Sequence, residues 1–110
     1  FDARFLPNPY YQSELTELTG KNEQIREYLL EFPVTQQFIQ QFFSFIDFII
    51  PYYVKEGKNY LSIAIGCTGG RHRSVFLVNQ LAQLFKQKGK HIFIKHRDIH
   101  KEEKILKEKP

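Results

Sequence analysis

The segment from Tyr60 to Ser74 constrains the fold and the function of this chain more than any other part of it. An apolar run, Leu61 to Ile65, breaks at Gly66-Cys67-Thr68-Gly69-Gly70, and an amphipathic helix begins near Arg73 or Ser74. The run predicts a buried strand and the paired glycines predict a tight turn. Such a turn directs several backbone N–H groups and the positive end of the helix dipole at one point. The segment therefore predicts an anion pocket, and phosphate is the anion that fits it best.

The pattern that follows predicts the fold class. A helix from about Arg73 to Lys88 carries one apolar face, Gly89 is placed at its C′ position, and His91 to Lys95 alternates as a second strand should. Strand, helix and strand in this order predict a βαβ unit with parallel strands. We therefore expect an α/β fold: a small open, mainly parallel sheet with a βαβ unit and flanking helices.

Helices are also predicted in the first half. Phe1 to Leu6 is predicted as a short strand, and Asn22 is predicted to cap a helix that Pro33 ends. Thr35 is predicted to cap a longer helix that stops at Pro51 and Gly57. This second helix has apolar residues beyond one stripe, so we expect it to be covered on more than one side. Its apolar part is interrupted by polar residues and is too short to cross a bilayer.

Composition and charge narrow the function classes. The chain has no methionine and opens inside an apolar pattern, so we expect a single domain, residues 1–110, cut from a longer protein. One cysteine fits a reducing cytoplasm. Residues 1–70 carry five Lys and Arg against eight Asp and Glu, whereas residues 71–110 carry eleven against four. This asymmetry favours an acidic partner such as phosphate, nucleotide or RNA, although a solvated charged surface is the alternative. The tail, residues 101–110, is predicted to be a frayed helix or disordered.

Ligands of parallel sheets bind at the carboxyl ends of the strands, where both predicted strands place basic residues. The first strand delivers Cys67, and the second delivers His96, Arg97 and Asp98. The predicted ligand residues are the loop and its basic neighbours: Cys67, Thr68, Gly69, Gly70, Arg71, His72, Arg73, Ser74, His96 and Arg97, with Asn8 and Tyr10 as further candidates. No cofactor and no metal site is expected, because the spacing of Cys67, His72, His96 and His100 matches no common zinc pattern.

Two other functions remain open. Cys67 and Arg73-Ser74 have the Cys-x5-Arg-Ser/Thr spacing of cysteine-dependent phosphatases, in which Cys67 would be the nucleophile, Arg73 the phosphate clamp and Asp98 or Asp2 the general acid. The alternative is that Cys67 has no chemical role and is a small buried residue at the end of a strand. An RNA-binding module is the other possibility, with a basic edge formed by Arg71, Lys86, Lys88, Lys90, Lys95 and Arg97.

Several blocks of residues together resemble a known family. These are Phe1-Asp-Ala-Arg-Phe-Leu-Pro-Asn-Pro9, Leu18-Thr-Gly20, Glu56 to Gly70, His72-Arg-Ser74 and His96-Arg-Asp98. They are similar to the C-terminal domain of the RapZ/YvcJ family of P-loop nucleotide-binding proteins, and the similarity covers nearly the whole chain. Two features depart from RapZ-like members: Tyr10-Tyr11 replaces a His-aromatic pair, and the tail is more acidic.

The resemblance implies a division of labour within a longer protein. It implies an upstream P-loop domain with ATPase and GTPase activity, and a C-terminal regulatory domain without catalysis of its own. It also implies that this domain binds an amino-sugar phosphate, and RNA in RapZ-like members, with the pocket carried over by position to Cys67–Ser74 and His96-Arg97. We expect a cytoplasmic protein whose partners are a phosphorylated small molecule, RNA and the P-loop domain of the same chain, and which is a homo-oligomer at full length.

Overall fold

Three helices form the framework of the part of the chain that the structure describes. The computed structural model describes residues 1–58, 60–68 and 71–96. Helix α1 spans Glu23–Leu30, α2 spans Pro33–Lys55 and α3 spans Arg73–Gln87, and a short 3-10 turn spans Pro9–Tyr11. The three helices pack against one another.

The helix boundaries follow from local chemistry, with two departures from the sequence-based predictions. Asn22 caps α1 as predicted, since its side chain accepts a hydrogen bond from the Gln24 amide at 2.9 Å. Helix α2, however, begins at Pro33 rather than after Thr35, because proline is well suited to the first turn, where its missing N–H has no partner to lose. The same helix continues through Pro51 to Lys55. Gly89 follows α3 with φ of +81°, as the predicted C′ position requires.

The predicted α/β fold is wrong. Over residues 1–58, 60–68 and 71–96 the structure has helices but no β-strand, and therefore no parallel sheet and no βαβ unit. An isolated parallel bridge joins Asp2 to Gly66, where the Ala3 amide donates to the Gly66 carbonyl at 2.7 Å and the Gly66 amide to the Phe1 carbonyl at 2.8 Å. The two segments predicted as strands, 60–66 and 91–95, are not hydrogen-bonded to each other in the described part of the chain. An apolar pattern favours a strand, but a strand forms only where a neighbouring backbone pairs with its N–H and C=O groups.

The core lies between the three helices and the N-terminal segment. It is built from aliphatic and phenylalanine side chains, and the alternation predicted for the second strand survives as Ile92 and Ile94 half-buried beside an exposed Phe93. No helix in residues 1–58, 60–68 and 71–96 is long and apolar enough to cross a membrane. The buried hydrophobic residues of this core are Ala3, Leu6, Leu15, Ile25, Leu29, Ile39, Phe42, Ile46, Phe76, Leu77, Leu81 and Phe85.

Candidate functional site

The start of α3 is buried beneath the N-terminal segment. Residues Arg71 to Ser74 are each less than a tenth exposed, which is unusual for basic side chains. Gly20 makes this close approach possible: its amide donates to the Arg71 carbonyl at 2.7 Å, and a Cβ at this position would collide with the backbone of His72 and Phe76. The loop before α3 is therefore held from behind by residues more than fifty positions earlier in the chain.

The guanidinium of Arg73 binds carbonyl oxygens rather than facing open solvent. Its Nη1 donates to the Arg4 carbonyl at 2.8 Å and to the Leu6 carbonyl at 3.0 Å, and the residue is 3% exposed. No carboxylate among the described residues forms an ion pair with Arg73. A positive charge is therefore buried at the start of α3, where the helix dipole adds to it.

Arg71 and His72 also point toward the N-terminal segment. Arg71 Nη2 donates to the Glu17 carbonyl at 3.1 Å. Burial lowers the pKa of His72, and the charges of Arg71 and Arg73 lower it further, while the carbonyls of Leu18 and Thr16 act in the opposite direction. His72 is therefore held as a neutral imidazole at neutral pH.

On the other side of the loop, Cys67 and Ser74 meet. The Ser74 amide donates to Cys67 Sγ at 3.3 Å, and the Cys67 thiol lies 3.4 Å from Ser74 Oγ. One amide of the α3 N-terminus is thus directed at the sulfur. Thr68 beside it is exposed.

His96 comes to the same part of α3. Its Nε2 lies 3.0 Å from Asn79 Oδ1, and Asn79 is five residues beyond Ser74, about 7.5 Å along the helix axis. Burial lowers the pKa of His96, with a further contribution from the charge of Lys21. Cys67, Ser74, Lys95 and His96 line one groove of about 870 Å³ between α3 and the segments 60–66 and 91–96.

The structure thus sorts the predicted ligand residues into two groups. Cys67, Ser74 and His96 reach the groove, whereas Arg71, His72 and Arg73 lie buried behind it, where the two arginines provide positive charge. Gly69, Gly70, Arg97 and Asp98, and the tail 101–110, lie outside the described residues. Sequence reasoning missed the role of Gly20 and the carbonyls of Arg4 and Leu6, because nothing local to Leu18-Thr-Gly20 indicates its contact with α3.

The remaining predicted residues lie away from the groove. Asn8 Oδ1 accepts from the Tyr10 amide at 3.1 Å and so caps the 3-10 turn, while the Tyr10 ring is exposed and packs edge-on against Tyr11. Lys86, Lys88 and Lys90 lie at the C-terminal end of α3, and Lys88 forms an ion pair with Asp47 at 2.7 Å. The residues described contain no group of three or more acidic, histidine or cysteine side chains placed to hold a metal ion.

Comparison with known proteins agrees with the sequence blocks. The family model of the RapZ C-terminal domain matches residues 1–100. The chain belongs to the RapZ C-terminal domain family. A nucleotide-binding protein of Halothermothrix orenii is 50% identical over 101 residues, which cover 92% of this chain and 36% of that protein. Nucleotide-binding proteins of Clostridium botulinum and Caldanaerobacter subterraneus are 49% identical over 102 residues, or 93% of this chain and 35% and 36% of theirs.

The RapZ C-terminal domain is thus one part of longer proteins. The chain spans about a third of the length of the curated relatives it matches. The family predicted from the sequence is confirmed, and the ligand residues stay predictions.

Proposed function

We propose that this RapZ C-terminal domain is a regulatory module that binds a phosphorylated metabolite where Cys67 and Ser74 line the groove, with Thr68 beside them, and that the nucleotide-binding chemistry of the longer protein resides outside this domain. The observation that carries the proposal is the buried charge of Arg73 at the start of α3, which forms no ion pair with a carboxylate of the described residues. Such a charge stabilises an anion at the adjoining groove without needing to touch it, because the buried surroundings screen it weakly.

The groove offers suitable groups for a phosphorylated sugar or nucleotide. Ser74 lines the groove and supplies a hydroxyl, and Thr68, which is exposed beside Cys67, supplies a second one. His96 also lines the groove; because its Nε2 is hydrogen-bonded to Asn79, its Nδ1 would be the ring nitrogen that contacts a polar ligand. Its apolar wall, with Ile63, Val78 and Phe85, suits the less polar face of a sugar ring or base. An amino-sugar phosphate, which the family resemblance implies, combines these features.

The cysteine-phosphatase alternative is less well supported. Its mechanism needs an arginine that clamps the transferred phosphate on the nucleophile's side. Arg73 instead donates to the Arg4 and Leu6 carbonyls. Cys67 accepts one amide of α3, which is as compatible with a packing role as with a nucleophile.

Calorimetric titration with inorganic phosphate, glucosamine 6-phosphate and glucosamine tests the proposal. We expect the two phosphorylated species to bind and glucosamine to fail. Ser74→Ala should weaken binding about tenfold, since one charge-assisted hydrogen bond is worth about 1.5 kcal/mol. Ser62→Ala is the matched control, because Ser62 lines the same groove five residues before Cys67. Equal loss in both variants, or equal binding of glucosamine, would reject this site.

A further variant, Cys67→Ser, separates binding from phosphatase activity. It should keep phosphate binding. If the wild-type chain released phosphate from a chromogenic ester and Cys67→Ser did not, the phosphatase alternative would be supported instead.

RNA binding is the second candidate, favoured by the exposure of Lys86, Lys90 and Lys95. Its affinity should fall steeply with salt and should drop when all three lysines are replaced by alanine. Lys55→Ala together with Lys58→Ala provides a control for loss of charge elsewhere on the surface. Retention of RNA by the triple variant at an unchanged salt slope would remove this candidate.

A further inference from the structure

The first residues of the chain begin a parallel backbone ladder against the segment 60–66. The Phe1 amine donates to the Ala64 carbonyl at 2.7 Å, and the Gly66 amide donates to the Phe1 carbonyl at 2.8 Å. The Ala3 amide continues the pattern by donating to the Gly66 carbonyl at 2.7 Å. In a parallel pair, each bonded residue joins two residues that lie two positions apart in its neighbour. The ladder therefore has a defined register at Phe1, and residues before Phe1 can extend it.

The ladder leads into the groove that separates the segments 60–66 and 91–96. Phe1 itself lines this groove. In the part of the chain that the structure describes, the amides of Ser62 and Ala64 have no hydrogen-bond partner, and no backbone bond joins 60–66 to 91–96. An extended segment placed between the two would therefore meet backbone groups with which it can form hydrogen bonds.

The apolar side chains along the groove are only partly covered. Leu61 and Ile63 are 40% and 37% exposed, and Phe93 on the other side is 100% exposed. Continuous apolar runs such as the one that contains Leu61 and Ile63 are typical of extended segments that are buried on both faces. Leu81 and Phe85 line the groove from α3. A segment that occupies the groove would remove this apolar surface from water, which favours its binding.

The groove has the size of a short extended segment. A packed extended chain occupies roughly 160 Å³ per residue, because each residue rises about 3.3 Å, neighbouring chains lie about 4.8 Å apart and packed layers about 10 Å apart. The groove of about 870 Å³ therefore holds about five residues. Five residues before Phe1 extend the ladder to the level of Tyr60, where the segment 60–66 begins.

The length of the related proteins identifies the occupant. This chain belongs to a C-terminal domain family and spans about a third of its curated relatives. We propose that the residues preceding Phe1 in the longer protein, about five of them, fill the groove as an extended segment that continues the ladder along 60–64. In that protein the Phe1 amine is a peptide N–H and donates the same bond. The groove end at Cys67 and Ser74 lies in the opposite direction along the ladder, so it stays open.

The hydrogen bonds at Phe1 determine the register of the added segment. The second residue before Phe1 lies opposite Ile63, donates to the Ser62 carbonyl and accepts from the Ala64 amide. The fourth residue before Phe1 lies opposite Leu61 and accepts from the Ser62 amide. The added segment thus provides partners for the amides of both Ser62 and Ala64. Residues 91–96 lie on its other side and stay unpaired with 60–66.

Amide hydrogen exchange in the longer protein tests the ladder. We expect the Ser62 and Ala64 amides to exchange at least about tenfold more slowly than in an unfolded peptide. Changing the second residue before Phe1 to proline removes one donor of the ladder, so exchange at both amides should become fast again. The amides of α1 are the control and should keep their protection. Fast exchange at Ser62 and Ala64 in the unaltered protein, or exchange that the proline leaves unchanged, overturns the proposal.

A pair of cysteines tests the register and the occupant, in the longer protein with Cys67→Ser as background. A cysteine at the second residue before Phe1 lies opposite Ile63→Cys, about 4.8 Å away between Cα atoms, which is within the range of a disulfide. Oxidation should join the two within one chain. Ser62→Cys is the matched control, because its side chain points to the opposite face, and it should stay reduced. Circular dichroism verifies that each variant keeps its helix content.

Three results of the oxidation would contradict the pairing. The first is no disulfide at Ile63→Cys, and the second is a disulfide at Ser62→Cys in its place. The third is a disulfide that joins two chains, which would assign the groove to a segment of a second copy. Neither the exchange nor the oxidation involves a phosphorylated ligand, so their outcome is independent of the binding function proposed above.

Discussion

At the residue scale, Gly20 strongly constrains the fold although its side chain is a single hydrogen atom. Gly20 lies against the first turn of α3, and a methyl group there would collide with the backbone of His72 and Phe76. Backbone atoms in a helix cannot move aside as a flexible side chain can. We therefore expect Gly20→Ala to destabilise the fold by at least about 2–3 kcal/mol, measured by urea unfolding.

The control for this substitution is Gly66→Ala. A Cβ at Gly66 has no neighbour among the described residues within 4 Å, and the residue does not have a positive φ. Its replacement should change the free energy of unfolding by less than about 1 kcal/mol. Similar losses in the two variants would mean that the contact of Gly20 with α3 is not what makes its substitution costly.

The buried histidine predicts how stability depends on pH. The folded-state pKa of His72 lies below its ordinary value of 6.5, because burial disfavours the imidazolium. The unfolded chain therefore binds a proton first as pH falls, and stability is full above about pH 6.5 and declines below it. Urea unfolding at pH 7.5, 6.5 and 5.5 should show this loss.

Two variants test whether His72 causes this loss of stability at low pH. His72→Gln should flatten the decline between pH 6.5 and 5.5, since glutamine does not titrate. His96→Gln should flatten it less, because His96 is more exposed and its pKa is lowered in the same direction. A decline that His72→Gln leaves unchanged would place the pH dependence elsewhere in the chain.

At the scale of elements, the helices followed from the sequence and the sheet did not. Asn22, the apolar spacing of α3 and Gly89 each act within one or two turns, so local sequence is sufficient to place them. A strand depends on a second backbone at hydrogen-bond distance. Leu61 to Ile65 has the composition of a strand, yet its position relative to His91–His96 is fixed by packing that the sequence does not encode locally.

In the candidate site, too, contacts within one turn could be predicted from the sequence, whereas contacts between distant parts of the chain could not. Cys67 and Ser74 were predicted to belong to one pocket because a single turn joins them, and in the structure the Ser74 amide contacts Cys67 Sγ. Arg71, His72 and Arg73 were predicted to contact a ligand because their donors suit phosphate oxygens. Their burial depends on carbonyl groups of Arg4, Leu6 and Glu17, 54 to 69 positions away, which no local pattern reveals.

The cap of α1 gives a prediction at this scale. Asn22 Oδ1 satisfies the Gln24 amide, which has no partner inside the helix. Asn22→Ala should lower the free energy of unfolding by about 1 kcal/mol, and Asn22→Asp should retain most of it, because both side chains can accept this bond. Equal losses from alanine and aspartate in chemical unfolding would show that the side-chain acceptor contributes nothing.

At the scale of the whole molecule, Arg73 joins the N-terminal segment to the start of α3. Its Nη1 donates to the Arg4 and Leu6 carbonyls and so holds the N-terminal segment in place. This segment covers the start of α3 and contributes Ala3 and Leu6 to the core. The isolated bridge between Asp2 and Gly66 lies on the same connection. The candidate ligand groove is therefore positioned by a contact between distant parts of the chain rather than by its own loop.

This arrangement predicts what happens when the connection is cut. Arg73→Ala would leave two carbonyls without a donor and a cavity at a residue that is 3% exposed, so we expect a loss of about 3 kcal/mol or more and faster proteolysis within residues 1–20. Arg73→Lys keeps the positive charge but replaces the planar guanidinium by a single ammonium group, which cannot donate in the same geometry. Compared with Arg73→Ala, it should therefore retain more of the phosphate binding than of the free energy of unfolding. Arg4→Ala provides the contrast, because its 2.7 Å ion pair with Asp2 is exposed and should contribute little. If Arg4→Ala and Arg73→Ala lower the free energy of unfolding by the same amount, the N-terminal segment is held by its apolar contacts alone. The buried charge of Arg73 would then have no structural role, and only its proposed role in ligand binding would remain.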